Sequence, residues 1–359
     1  MIRDVHVVVG SAQFDDDLQV LTTEHGFRVD AIFPADAPST AVISAHGVRL
    51  RLERSERSER PAPVRFRLLS DDATGTVELP GGSTLEFVPF STTYDLPDNV
   101  PSLTITADDG TSGVGRAGMR YRDLLPDRWG GRFIASHITI PEGGPVPDYV
   151  HFHKVRFQMI FVKSGWVRLV YEDQGPPFVM HAGDCVLQPP EIRHRVLESS
   201  PGLEVVEIGC PAEHETIADW SLPLPSPDVD PAHDFGGQRF VRHVASEADY
   251  APWRLAGWEH RDTGIAAATV GLAGARVARP VRGGAPDHDG SIAHDTEFCQ
   301  LVVLSGSVTF TADDGDPVVL AESDSVAIPG GTRYRLSAAT ADCEVLDVTL
   351  PASFTVTGS

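Results

Sequence analysis

Two separated segments of this chain return later at nearly the same spacing. Residues 151–167, HFHKVRFQMIFVKSGWV, align without a gap on 292–308, IAHDTEFCQLVVLSGSV, at an offset of 141. Residues 182–197, AGDCVLQPPEIRHRVL, align on 322–337, ESDSVAIPGGTRYRLS, at an offset of 140. Chance matches would not preserve the distance between the two segments, so the chain contains a duplicated unit. Each copy consists of short runs bounded by Gly and Pro, with no long helical period, which predicts an all-β domain. The 33 glycines and 28 prolines fit many strands joined by turns.

At roughly 150 residues per domain, 359 residues allow two or three domains. The copies are expected over 118–218 and 235–359. ADDGTSGVGRAG, polar and Gly-rich, reads as the linker before the first copy. The proline-rich SLPLPSPDVDPAH reads as a stiff connector between them. Block one, residues 1–110, opens with the alternating run VHVVVG. A helical stretch, DDDLQVLTTEHG, follows, with Gly26 placed to end it. Then come three strand-like runs, FRVDAIF, TAVISA and VRLRLE, and later a further run, STLEFVPF. Between these, Arg54, Glu56, Arg57, Glu59 and Arg60 alternate in sign up to Pro61, as in a solvated loop or short exposed helix.

Asp and Glu number 51 against 29 Lys and Arg, a formal net charge of −22. That balance disfavours nucleic acid and anionic membranes as partners, since both require clustered positive charge. With 41% hydrophobic and 22% charged residues the composition is that of a globular chain. Lys154 and Lys163 are its only lysines, which reads as GC-rich, bacterial coding bias. The opening MIRDVHVVVGSAQFDDDL lacks a basic n-region before an apolar run, so no signal peptide is expected. GIAAATVGLAGARVA is too short and Gly-rich to span a bilayer. Cys185, Cys210, Cys299 and Cys343 show no CxxC spacing and are expected as reduced thiols in a cytoplasmic protein.

The first copy concentrates chemistry. His151 and His153 lie two apart, so on a strand both imidazoles face one side. Gln158 follows in a returning strand, and GDCVLQPPEIRH ends in His194. Three imidazoles and an oxygen donor can complete one face of a divalent-metal site. In the second copy the same places hold Ile292, His294, Cys299 and Tyr334, a poor donor set, with His288 as a possible substitute ligand. That copy is expected to be metal-free and structural, or to help close the first site.

These motifs resemble the bicupins, chains with two tandem cupin barrels. His151, His153, Gln158 and Gly165 match the first cupin motif, and Gly183, Pro189 and His194 the second. Gln158 stands where glutamate is usual, and Glu191 where a turn glycine is usual. The resemblance implies a mainly β fold: two double-stranded β-helix (jelly-roll) barrels, with His151, His153, Gln158 and His194 holding one divalent transition metal (Ni, Zn, Mn or Fe). Block one, with its β-α-β-β-β order, resembles one module of the glyoxalase/vicinal-oxygen-chelate superfamily. That implies an N-terminal α+β domain, STLEFVPF closing a second, eroded module. His6, Glu53 and Glu86 stand where such folds place ligands, although a structural or dimerising role is expected.

Three neutral imidazoles and a neutral carboxamide leave a bound dication its full charge, favouring anionic ligands and Lewis-acid chemistry. Gln158 cannot accept a proton as glutamate would. Cupins with His-His-Gln-His sites, such as uronate-linearising enzymes and polyketide cyclases, run non-redox reactions. A base is then sought in Glu207, His137 or Glu191. Arg132 is the preferred anchor for a substrate carboxylate, because Arg193 and Arg195 have the opposite strand parity to His194. Tyr149 and Phe157 are placed to line the mouth or to pack. The expected function is metal-assisted isomerisation, cyclisation or elimination of a small anionic organic molecule. The alternatives are an iron-dependent, gentisate-like dioxygenase and a non-catalytic binding protein. A homodimer is expected.

Overall fold

The computed structural model describes residues 2–11, 13–23, 26–45, 47–54, 65–70, 74–78, 84–89, 94–281, 290–313 and 315–358. His288 and the alternating charges after Arg54 lie outside the described residues. The duplication is realised strand for strand. His151–His153, Phe157–Ser164, Trp166–Tyr171 and Cys185–Leu187 return as Ile292–His294, Phe298–Ser305, Ser307–Ala312 and Ser325–Ala327. Gly165 and Gly306 make the same turn at φ +79° and +66°; a β-carbon there would collide with the Ser200 or Thr340 hydroxyl.

Each copy is a two-sheet barrel with its own interior. Val162, Val167, Leu169, Met180, Val186 and Val205 fill the first, and Leu301, Val303, Val308, Phe310 and Leu336 the second. Strand alternation sends the other set of apolar residues outward. There Phe157, Met159, Phe161, Val206 and Ile208 meet Val277, Phe298, Val302, Leu346 and Val348 in one core between the barrels. Runs such as FQMIFV read as continuously apolar because both of their faces are buried. Phe133 stacks on Phe298 at 4.3 Å between ring centroids, with Trp129 edge-on to Phe298 at 5.4 Å.

The barrels also exchange edge strands. Thr104–Thr106 pairs with Ser325–Ala327 of the second barrel, although it falls within the 1–110 span read as block one. Val241–His243, on the far side of the proline-rich connector, pairs with Cys185–Leu187 of the first. Each exchange covers an open sheet edge.

Block one follows the order strand Ile2–Ser11, helix Phe14–Thr23, and strands Arg28–Phe33, Thr40–Ala45 and Val48–Arg54. Asp15, Asp16 and Asp17 sit in the helix's first turn, where they complement its dipole. Phe14, Ile32, Ala41, Ile43 and Leu52 form its core. STLEFVPF supplies the strand Thr84–Pro89. Block one is fused to the first barrel: Arg28–Phe33 pairs antiparallel with Thr216–Ala218, so one sheet runs through both. The four cysteines are free and buried, two in the core between barrels and two inside the second barrel. Among the described residues, no helix is long and apolar enough to cross a membrane.

Candidate metal centre

His151 and His194 are direct partners across adjacent antiparallel strands, and His153 lies two residues along on the same face. The ring centroids are 4.3 Å apart for His151 and His194, 5.2 Å for His151 and His153, and 5.3 Å for His153 and His194. One ligand nitrogen from each ring lies within 4.8 Å of the others. All three rings are buried.

Their protonation is fixed from behind. Nδ1 of His151 donates to the Tyr149 carbonyl at 2.8 Å, Nδ1 of His153 to Glu215 at 3.3 Å, and Nδ1 of His194 to Ile192 at 3.0 Å. A carbonyl only accepts, so each neutral ring carries its proton on Nδ1 and leaves the Nε2 lone pair for the barrel interior. Burial, followed by the charges of Arg116 and of neighbouring histidines, holds His151 and His153 well below the usual histidine range. Burial pushes His194 down to about 4. The rings are therefore in the ligating form at neutral pH, and the donor set fits a divalent transition metal.

A family model described as "Cupin domain" matches residues 136–208, and one described as "EutQ-like cupin domain" matches 291–349. The chain carries two cupin domains. Both matches lie outside block one. Solved structures share the bicupin fold at low identity. The protein Ylba from E. coli aligns with a TM-score of 0.51 at 11% identity, over 73% of this chain and 96% of its own. A Lactobacillus farciminis oxalate decarboxylase, solved as a formate complex, aligns at 0.50 and 11% over 74% and 89%. A Bacillus subtilis oxalate decarboxylase variant aligns at 0.50 and 12% over 75% and 82%. No curated protein matches in sequence.

Gln158 lies on the facing sheet of this bicupin's first barrel, with the inward parity of Ile160 and Val162. Its cross-strand partner is Gly209, which leaves room for the carboxamide. Nε2 donates to Glu207 Oε1 at 2.5 Å, so the oxygen end is the one free for a cation. Burial raises the Glu207 carboxyl above the usual range. Glu191 occupies the motif's glycine place at φ +62°, and its amide donates to the His153 carbonyl at 2.9 Å. Gly331, its counterpart, repeats that bond to His294 at 2.7 Å.

Other residues singled out on the sequence lie elsewhere. His137 alternates with the inward Ser136 and Ile138, so it faces the second barrel. It bonds Glu204 at 2.9 Å and lies 3.3 Å from an Arg122 nitrogen that also reaches the Ser323 carbonyl. Arg132 is not placed as a substrate anchor. Its guanidinium is held by Glu297 at 2.7 Å and by the Pro97 carbonyl at 2.8 Å, beside Arg156 on the same carboxylate. Phe157 packs between the barrels. Arg193 lies over the Phe152 ring and bonds Asp219, and Arg195 is exposed. Tyr149 does flank the histidines, 5.8 Å from the His151 ring and 5.5 Å from that of Trp220. In block one, His6 bonds Asp4 and Glu53 pairs with Arg51.

Sequence reasoning missed three neighbours. Arg116, in the stretch read as a linker, reaches His151 Nε2 with Nη2 at 3.1 Å and pairs with the fully buried Asp148. His214 packs edge-on to His153 at 5.2 Å, with Nδ1 donating to Pro211. No motif spacing links these positions to the histidines; an isolated arginine in a Gly-rich run carries no signal.

The second barrel is organised differently. The Thr296 amide donates to His294 Nδ1 at 3.4 Å, with the Thr296 hydroxyl 2.8 Å from the same nitrogen; Nδ1 is thus an acceptor and the ring proton sits on Nε2, the reverse of the first barrel. Arg254 follows the short strand Ala251–Pro252 and precedes Trp258–Asp262. Its guanidinium contacts Tyr334 Oη at 3.2 Å and Cys299 Sγ at 3.9 Å, and pairs with the buried Asp347. A fixed cation thus bridges two of the four ligand places.

Proposed function

We propose that the first barrel holds one divalent transition metal through His151, His153, His194 and the Gln158 oxygen, and that the chain is an enzyme of small oxygenated anions. The reaction class is isomerisation, cyclisation or elimination. The observation that carries this reading is the common orientation of three buried imidazoles, each with Nδ1 tied to a carbonyl. When bound, the metal supplies a Lewis acid that polarises a substrate oxygen.

The chain's own residues supply placement and charge. Glu207 holds the carboxamide in one orientation and so acts on Gln158 as a positioning residue. No carboxylate belongs to the proposed ligand set, and the largely buried Arg116 guanidinium lies alongside it, so the pocket favours an anion. Tyr149 and the half-exposed Trp220 form an aromatic wall next to His151. Two fold neighbours are oxalate decarboxylases, one a formate complex, so the same fold accommodates small carboxylates.

Metal analysis of protein purified without added metal, together with oxygen uptake, tests the reading. Nickel, zinc or manganese with no oxygen uptake supports it. Iron with oxygen consumption on aromatic or enolic probes overturns it in favour of a dioxygenase. Absence of metal above about pH 7, where even free imidazoles are mostly neutral, leaves a binding protein.

A further inference from the structure

Resting on the metal reading above, we propose that Arg116 is the anion-binding arm of the first barrel and receives a small carboxylate beside the metal. The guanidinium is clamped at one end only. Nη1 pairs with Asp148, whose other oxygen accepts the Val196 amide at 2.9 Å. The guanidinium Cζ lies over the Tyr149 ring, 5.7 Å from the centroid. At the other end, Nη2 donates to His151 Nε2 at 3.1 Å, and the buried Nε has no partner.

The His151 Nε2 lone pair can serve Arg116 or a metal, but not both. His151 Nδ1 is committed to the Tyr149 carbonyl, so the ring cannot offer its other nitrogen instead. Metal binding therefore frees Nη2, on the same edge of the guanidinium as the partnerless Nε. Two parallel N–H groups on one edge match the two oxygens of a carboxylate. A buried donor left without a partner is costly, and so is a guanidinium next to a dication. One anion relieves both. The same interaction seen from the metal's side requires that anion and metal tighten each other's binding.

The test is an equilibrium Zn2+ titration of the full chain against a chromogenic chelator, with acetate or with chloride at equal ionic strength. Acetate should tighten Zn2+ binding to the natural protein by about tenfold, within the usual span of coupled sites. The Arg116→Gln/Asp148→Asn double variant removes both buried charges together; it should bind Zn2+ with no response to acetate. Should it fail to fold by circular dichroism, Arg116→Lys retains the charge without the fork and should lose most of the acetate effect. An equal acetate effect in the folded variant overturns the proposal, because acetate would then be acting on the metal alone. No acetate effect in the natural protein overturns it while leaving the metal reading standing. Absence of Zn2+ binding in the natural protein defeats the metal reading itself.

Discussion

Gln158 donates from Nε2 to Glu207 Oε1 at 2.5 Å, so a partly buried carboxylate sets which end of the amide faces the three histidines. Gln158→Glu puts two carboxyl groups in contact inside the barrel. The expected result in metal-free protein is a loss of about 3 kcal/mol, typical of an uncompensated buried charge. Glu207→Gln added to Gln158→Glu should restore most of it. Urea unfolding of the two variants checks this; equal stabilities for single and double variants would contradict the pairing.

His153→Ala removes one imidazole from a cluster whose nitrogens lie within 4.8 Å of one another. Bound metal should fall from stoichiometric to trace while the far-ultraviolet circular dichroism stays unchanged. Elemental analysis after gel filtration is the measurement. Unchanged metal content would remove His153 from the ligand set.

Arg254 and the fully buried Asp347 form an ion pair inside the second barrel. Arg254→Met strands the Asp347 charge and should cost about 3–5 kcal/mol. The Arg254→Met/Asp347→Asn pair should recover much of that loss. A mild single variant in chemical denaturation would show that the carboxylate finds another partner.

Between the barrels, the His137 hydrogen bond and then Lys163 hold the Glu204 carboxyl at about 2, below its ordinary 4.5. Lys163 also pairs with Glu322, and Arg122 faces His137 from the other side. A carboxyl whose folded pKa lies below its unfolded one stabilises the fold above the unfolded value. That contribution is present above pH 4.5 and is lost as pH falls towards about 2. Glu204→Gln should therefore flatten the acid limb of stability against pH, measured by thermal melts. A superimposable acid limb would count against this network.

Phe298 stacks on Phe133 where the two outer faces meet. Phe298→Ala should cost about 3–5 kcal/mol, the usual range for a large aromatic lost from a core. Calorimetry should also show whether the two barrels still melt together. A change within experimental error would mean the cavity collapses without loss.

Local periodicity made the duplicated barrels and the histidine cluster legible. A strand has a period of two, so HFH presents two imidazoles to one side whatever surrounds it. The same rule places His137 on the outward face of IASHITI, opposite Val206 and away from the histidine cluster. Tertiary structure alone decided that Arg116 and Asp148 join the cluster, that Arg132 serves the contact between barrels, and that Thr104–Thr106 and Val241–His243 cross to opposite barrels. The physical reason is range. Alternation along one strand is written in adjacent residues, whereas strand pairing and ion-pair partnership are chosen by free energies summed over segments far apart in the chain.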